Sequence, residues 1–124
     1  MCRRGAIQTL MKLVDDISMT PEQRGALMEI KRRLLEKFDI KALVLYGSFA
    51  RGQADEESDL DLLVVTAQPL TRLKRHEITN AVFGVNLQYD TNFSTLVVDR
   101  KSWETGIISV LPIREEILRD GIPV

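Results

Sequence analysis

The arrangement of apolar runs and chain breakers predicts an α/β (α+β) domain in which a small mixed β-sheet is flanked by helices. Three observations predict it. Two short apolar segments, Lys41–Tyr46 and Asp59–Val65, are too short for buried helices and read as strands. Segments with apolar residues at helical spacing precede, separate and follow them. Finally, 124 residues that are 44% apolar and 28% charged suit one core and no more. A single domain over 1–124 is expected, with 1–19 adding an extra N-terminal helix.

Ile7, Leu10, Met11, Val14 and Ile17 recur at helical spacing, so 6–17 reads as an amphipathic helix packed on the domain. Thr20-Pro21-Glu22-Gln23 then forms a helix start. Thr20 can cap, Pro21 suits the first helical position and Gln23 completes a capping box. That helix should run to about Phe38 with Leu27, Ile30, Leu34 and Phe38 buried. Lys41–Tyr46 follows as a strand buried on both faces, and Gly47 breaks it. Ser48–Arg51 can make one helical turn ended by Gly52, and Gln53–Ser58 reads as an exposed acidic loop.

Asp59–Val65 is the second strand. Residues 71–83 read as a helix, with Leu73, Ile78, Ala81, Val82 and Phe83 as burial candidates. Between Val85 and Val98 lies at least one strand, strongest at Phe93–Val98. Trp103 anchors a following helix, and Pro112 to Arg119 forms the last, stopped by Gly121 with Pro123 beyond.

Charge and cysteine content narrow the function classes. Seventeen basic and eighteen acidic residues give a net charge of −1, which argues against a protein built mainly to grip nucleic acid by its phosphates. The sole cysteine, Cys2, cannot form an internal disulfide, and a reduced, cytoplasmic setting is expected. No apolar run approaches the length that spans a bilayer, and the opening residues lack a continuous apolar signal region.

The chemistry concentrates in residues 47–65. Strand alternation puts Asp59 and Asp61 on one face and Leu60, Leu62 and Val64 on the other. At about 6–7 Å apart, two such carboxylates repel by roughly 3 kcal/mol at an effective dielectric of ~20. A compensating cation is expected, and hard oxygen ligands without nearby Cys or His point to Mg²⁺. Gly47 lets the backbone bend sharply and approach a ligand. The amides after it, with the Ser48 hydroxyl, are phosphate donors. A phosphate cradle beside a carboxylate pair is the equipment of nucleotidyl transfer.

Gly47-Ser48, ten intervening residues and Asp59-Leu60-Asp61 resemble the signature of the polymerase β-like nucleotidyltransferase superfamily. The surrounding Leu45–Gly52, Ser58–Val64 and Ile117–Ile122 are similar to its minimal nucleotidyltransferase (MNT) branch. The resemblance implies that Gly47 and Ser48 hold the triphosphate of ATP or another nucleoside triphosphate. It implies that Asp59 and Asp61 bind one or two Mg²⁺ ions. Arg51 occupies a position for a phosphate or acceptor contact; the simpler reading is an ion pair with the Asp55–Glu57 loop. The resemblance also implies a helical HEPN-type protein partner in a toxin–antitoxin module. It leaves open a homo-oligomer and a nucleic-acid acceptor.

One departure matters. Active members carry a third carboxylate on a neighbouring strand, which binds metal and helps deprotonate the attacking hydroxyl. In Gln88–Val98 the only acid is Asp90, and strand parity would place Asp90, Asn92 and Ser94 on one face. Asp90 beside Asp61 would complete a catalytic triad of Asp59, Asp61 and Asp90. Asn92 or Ser94 in that place would leave an amide or hydroxyl, neither of which is a general base near neutral pH. Two functions compete on this point: an enzyme that moves an NMP to an acceptor hydroxyl, and a nucleotide-binding module that acts on a partner by contact. His76 reads as part of a solvated helix face, and Tyr46 and Trp103 as core anchors.

Overall fold

The computed structural model describes residues 19–50 and 59–124. The expected helix over 6–17, Arg51 and the acidic loop lie outside these residues, and within them the Ser48 hydroxyl lies outside what is described.

The first helix, α1 (Pro21–Lys37), begins where its capping residues put it. The Gln23 N–H donates to Thr20 Oγ1 at 3.0 Å, and the Thr20 N–H donates to Gln23 Oε1 at 2.9 Å. Two otherwise orphaned amides are satisfied reciprocally. Then come β1 (Ile40–Tyr46), the short turn α2 (Gly47–Ala50) and β2 (Leu60–Thr66). A long crossover helix, α3 (Arg72–Tyr89), leads to β3 (Phe93–Asp99). The chain closes with α4 (Arg100–Glu104), a 3₁₀ turn η1 (Ile107–Val110), α5 (Pro112–Asp120) and a two-residue strand, β4 (Ile122–Pro123).

The four strands lie in the order β3-β2-β1-β4. Pairing of β1 with β2 and with β4 is antiparallel, whereas β2 and β3 run parallel. The sheet is mixed, as the sequence predicts. β4 was not expected, since Gly121 and Pro123 read only as stop signals; Val44 and Leu45 pair with it.

Alternation divides the strands cleanly between two faces. Leu43 and Leu45 of β1, with Leu60, Leu62 and Val64 of β2, pack against α1 and α3. Ala42, Val44 and Tyr46 of β1, with Leu63 and Val65 of β2, face α4, η1 and α5. Trp103 packs in this second cluster and stacks under Arg114, whose guanidinium carbon lies 5.6 Å from the ring centroid. The Trp103 carbonyl also accepts from Arg114 Nε at 2.9 Å, so the residue is the expected anchor.

The crossover helix differs from expectation in two respects. It continues to Tyr89 rather than ending near Phe83, so no strand begins at Val85. Its buried side is Ile78, Val82 and Val85, while Leu73 and Phe83 are 79% and 60% exposed. Two apolar residues expected in the core therefore face outward. His76 is exposed, on the solvated face the sequence suggests.

Candidate active site

Gly47 closes β1 with φ of 81°, in the left-handed region that side-chain-bearing residues avoid. It is buried, and a Cβ added to it would collide with the Asp61 carboxylate. The bend at the start of α2 and the acid at the start of β2 are thus in direct apposition. Only a hydrogen fits at Gly47, and its absent side chain leaves the space that Asp61 takes up.

The sheet register extends this contact into a row. Asp61 pairs with Tyr46 on β1 and with Ser94 on β3. Leu63 and Val65 share the parity of Asp61, and Leu96 and Val98 that of Ser94; all four pack on the α5 side. Tyr46, Asp61 and Ser94 therefore line one face across three strands, about 4.8 Å from strand to strand. Asp59 is exposed, one residue ahead of β2, and the Leu60 N–H after it donates to the Asn92 carbonyl at 2.9 Å.

Asp90 is not on a strand. It is the C-cap of α3, exposed, with φ of 55° and ψ of 54°. Aspartate is among the few residues with a side chain that tolerate this left-handed cap. The helical cap breaks the alternation that would have aligned Asp90 with Ser94, so the shared parity of Asp90, Asn92 and Ser94 is corrected here. Asn92 precedes β3, and Ser94 is the residue in register with Asp61.

What sets that register is Asn86, which the sequence did not flag. Its Nδ2 donates to the Phe93 carbonyl, and its Oδ1 accepts from the Phe93 N–H and the Thr91 hydroxyl, each at 2.9 Å. One side chain ties the end of the helix to the first residue of β3.

Tyr46 is half-buried, and burial pushes its phenol above the ordinary tyrosine range, helped by the negative charges of Asp61 and then Glu116. Glu116 on α5 is the second group that sequence reasoning missed. Its signal was available: it sits three residues after Ile113 and one before Ile117, on the helix side that packs against the sheet.

Among the described residues, no group of three His, Cys, Asp or Glu side chains is placed to hold a metal ion. Two carboxylates are still a fitting donor set for Mg²⁺, which is bound through one or two carboxylates plus substrate phosphates and water. Asp61 lies against the bend whose amides would meet those phosphates, so the donors suit a metal that arrives with a nucleotide.

The model of the nucleotidyltransferase domain matches residues 27–118. The chain belongs to the nucleotidyltransferase family. Within the polymerase β-like superfamily it falls in the minimal nucleotidyltransferase branch. It is 36% identical over 89 residues to a protein of Methanocaldococcus jannaschii named "putative protein adenylyltransferase", covering 68% of this chain and 59% of that one. The chain spans about 60% of the length of several such relatives it matches.

Among solved structures, one described as a "putative minimal nucleotidyltransferase" superposes with a TM-score of 0.58 at 28% identity, covering 86% of this chain and 97% of that one. Another, of a tri-AMPylated Shewanella oneidensis HEPN toxin in complex with its MNT antitoxin, shares the fold. Its TM-score is 0.50 at 17% identity, with 82% of this chain and 70% of that one covered. No helix among the described residues is long and apolar enough to cross a membrane.

Proposed function

We propose that this domain transfers a nucleotidyl group, AMP from ATP, to a hydroxyl of a protein partner in a Mg²⁺-dependent reaction. The observation that carries the reading is the apposition of Gly47 and Asp61, which joins the two halves of the Gly-Ser and Asp-x-Asp signature at one point. Asp59 and Asp61 are the residues to hold Mg²⁺, and the amides after Gly47, the Ser48 hydroxyl and Arg51 those to hold the triphosphate. Bound there, the ion would supply neutralisation of the charge that develops on the phosphates. The acceptor oxygen attacks the α-phosphorus and pyrophosphate leaves. The two named relatives support AMP as the transferred group and a helical HEPN-type protein as acceptor.

The test is incubation of the full chain with α-labelled ATP, Mg²⁺ and a purified HEPN-type partner. Label on the partner that disappears with Asp59→Asn or Asp61→Asn, or with chelation of the metal, is the expected outcome. Ser94 in register with Asp61 favours a second reading, a nucleotide-binding module that transfers weakly or not at all and restrains its partner by contact. That reading wins if both aspartate variants inhibit the partner as well as the unaltered chain does.

A further inference from the structure

Ser94 is in register with Asp61, where the resemblance implies a third carboxylate that receives the acceptor's proton, and a serine hydroxyl does not do so near neutral pH. The same face of the sheet offers another acid. Helix α5 packs against both β1 and the Gly47–Ala50 turn. Its Ile113 and Ile117 join the cluster that includes Tyr46. Residues 113, 116, 117 and 120 share one side of a helix, so Glu116 is carried on the side those isoleucines turn toward the sheet. Burial agrees, since Glu116 is half-buried whereas its neighbour Glu115 is exposed. Tyr46, the cross-strand partner of Asp61, shares that cluster with Ile113 and Ile117, so Glu116 lies on the helix side that faces the strand paired with Asp61. A group that receives the acceptor's proton belongs outside the metal's ligand shell, on the side from which the acceptor arrives.

We propose that Glu116 is the carboxylate that takes the acceptor's proton, the task Ser94 cannot perform; this rests on the transfer reading above. In the step, the acceptor O–H proton passes to a Glu116 carboxylate oxygen as the acceptor oxygen bonds to the α-phosphorus. The bond from that phosphorus to the bridging oxygen breaks, and its electron pair leaves with pyrophosphate. Glu116 is then reset by losing the proton to water.

The experiment compares the unaltered chain, Glu116→Gln, Ser94→Asp and the double variant, each with α-labelled ATP, Mg²⁺ and a purified HEPN-type partner. Glutamine keeps the shape and cannot accept the proton, so kcat should fall about 10²–10⁴-fold while the Kd for ATP and the melting temperature stay put. Ser94→Asp restores an acid beside Asp61 and should recover much of that loss in the double variant, which a purely structural role for Glu116 would not permit. Undiminished transfer by Glu116→Gln overturns the assignment, as does a loss accompanied by a lower melting temperature. An unaltered chain that binds ATP without transferring it, while Ser94→Asp transfers, also removes the role from Glu116 and leaves the nucleotide site intact. Failure of all four proteins to bind ATP with Mg²⁺ would defeat the underlying reading itself.

Discussion

The two faces of the sheet are built for different purposes. Against α1 and α3 lies a cluster of fifteen buried apolar residues among those described, including Leu27, Ile30, Leu34, Leu62, Ile78 and Val85. Against α4, η1 and α5 the comparable cluster of described residues has four, Leu63, Val65, Val98 and Ile117, with half-buried side chains around them. The first face is closed and apolar. The second leaves Tyr46, Asp61 and Ser94 in a row at one end of the strands, with Glu116 on the packed side of α5. Stability therefore rests mainly on one side and, on the transfer reading proposed above, chemistry on the other, and substitutions should separate the two.

The largest effect should come from Leu62→Ala on the closed face. Leu62 is fully buried, and such truncations cost about 3–4 kcal/mol from lost burial and the cavity left behind. Ile117→Ala on the open face should cost roughly half as much, because its smaller surroundings can collapse. Urea unfolding of both variants checks this, and equal costs would erase the contrast.

Asn86→Ala should come next, at about 2–4 kcal/mol. It strands the Phe93 N–H and carbonyl at the entry to β3, and each unsatisfied buried group costs roughly 1–3 kcal/mol. It should also loosen the Asp61–Ser94 register, which hydrogen exchange at the start of β3 would report.

Gly47→Ala tests the other face directly. Left-handed strain costs about 1–2 kcal/mol, and the added methyl meets the Asp61 carboxylate. ATP affinity should drop by at least ~10-fold by calorimetry, out of proportion to the loss of stability. Thr20→Ala, remote from the row, should cost about 1 kcal/mol through the lost cap and leave ATP binding unchanged.

The smallest effect concerns Glu29, whose carboxyl is held down from the ordinary 4.5 to about 2 by hydrogen bonds from Arg32 and then Arg33. A depressed carboxyl stabilises the fold fully above the unfolded value, and that contribution fades as pH falls from about 4.5 toward 2. These are surface pairs, so Glu29→Gln should flatten the acid limb of a stability–pH curve only slightly.

Much of this was legible because it is local. The Thr20–Gln23 capping box and the two apolar strands each depend on neighbours in sequence. So does the Gly-Ser and Asp-x-Asp spacing, whose apposition the fold bears out at Gly47 and Asp61. What was not legible depends on partners far along the chain. The end of α3 is set by Asn86 bonding to Phe93 across the helix cap, and β-like residues near Val85 gave no hint of it. Leu73 and Phe83 satisfy helical periodicity as well as Ile78 and Val82 do, so only the docked helix reveals which side is covered. The choice of Ser94 rather than Asp90 opposite Asp61 hinged on one left-handed residue.

The row of Tyr46, Asp61 and Ser94 draws one residue from each of three strands, two of them joined only after an eighteen-residue helix has crossed over. No hairpin or fragment of this chain can display it. A ligand that reads the row would bind the finished sheet alone, and would add about RT ln(1 + [L]/Kd) to its resistance to unfolding. Occupancy there would thus double as a gauge of completed folding, silent toward every partly assembled form.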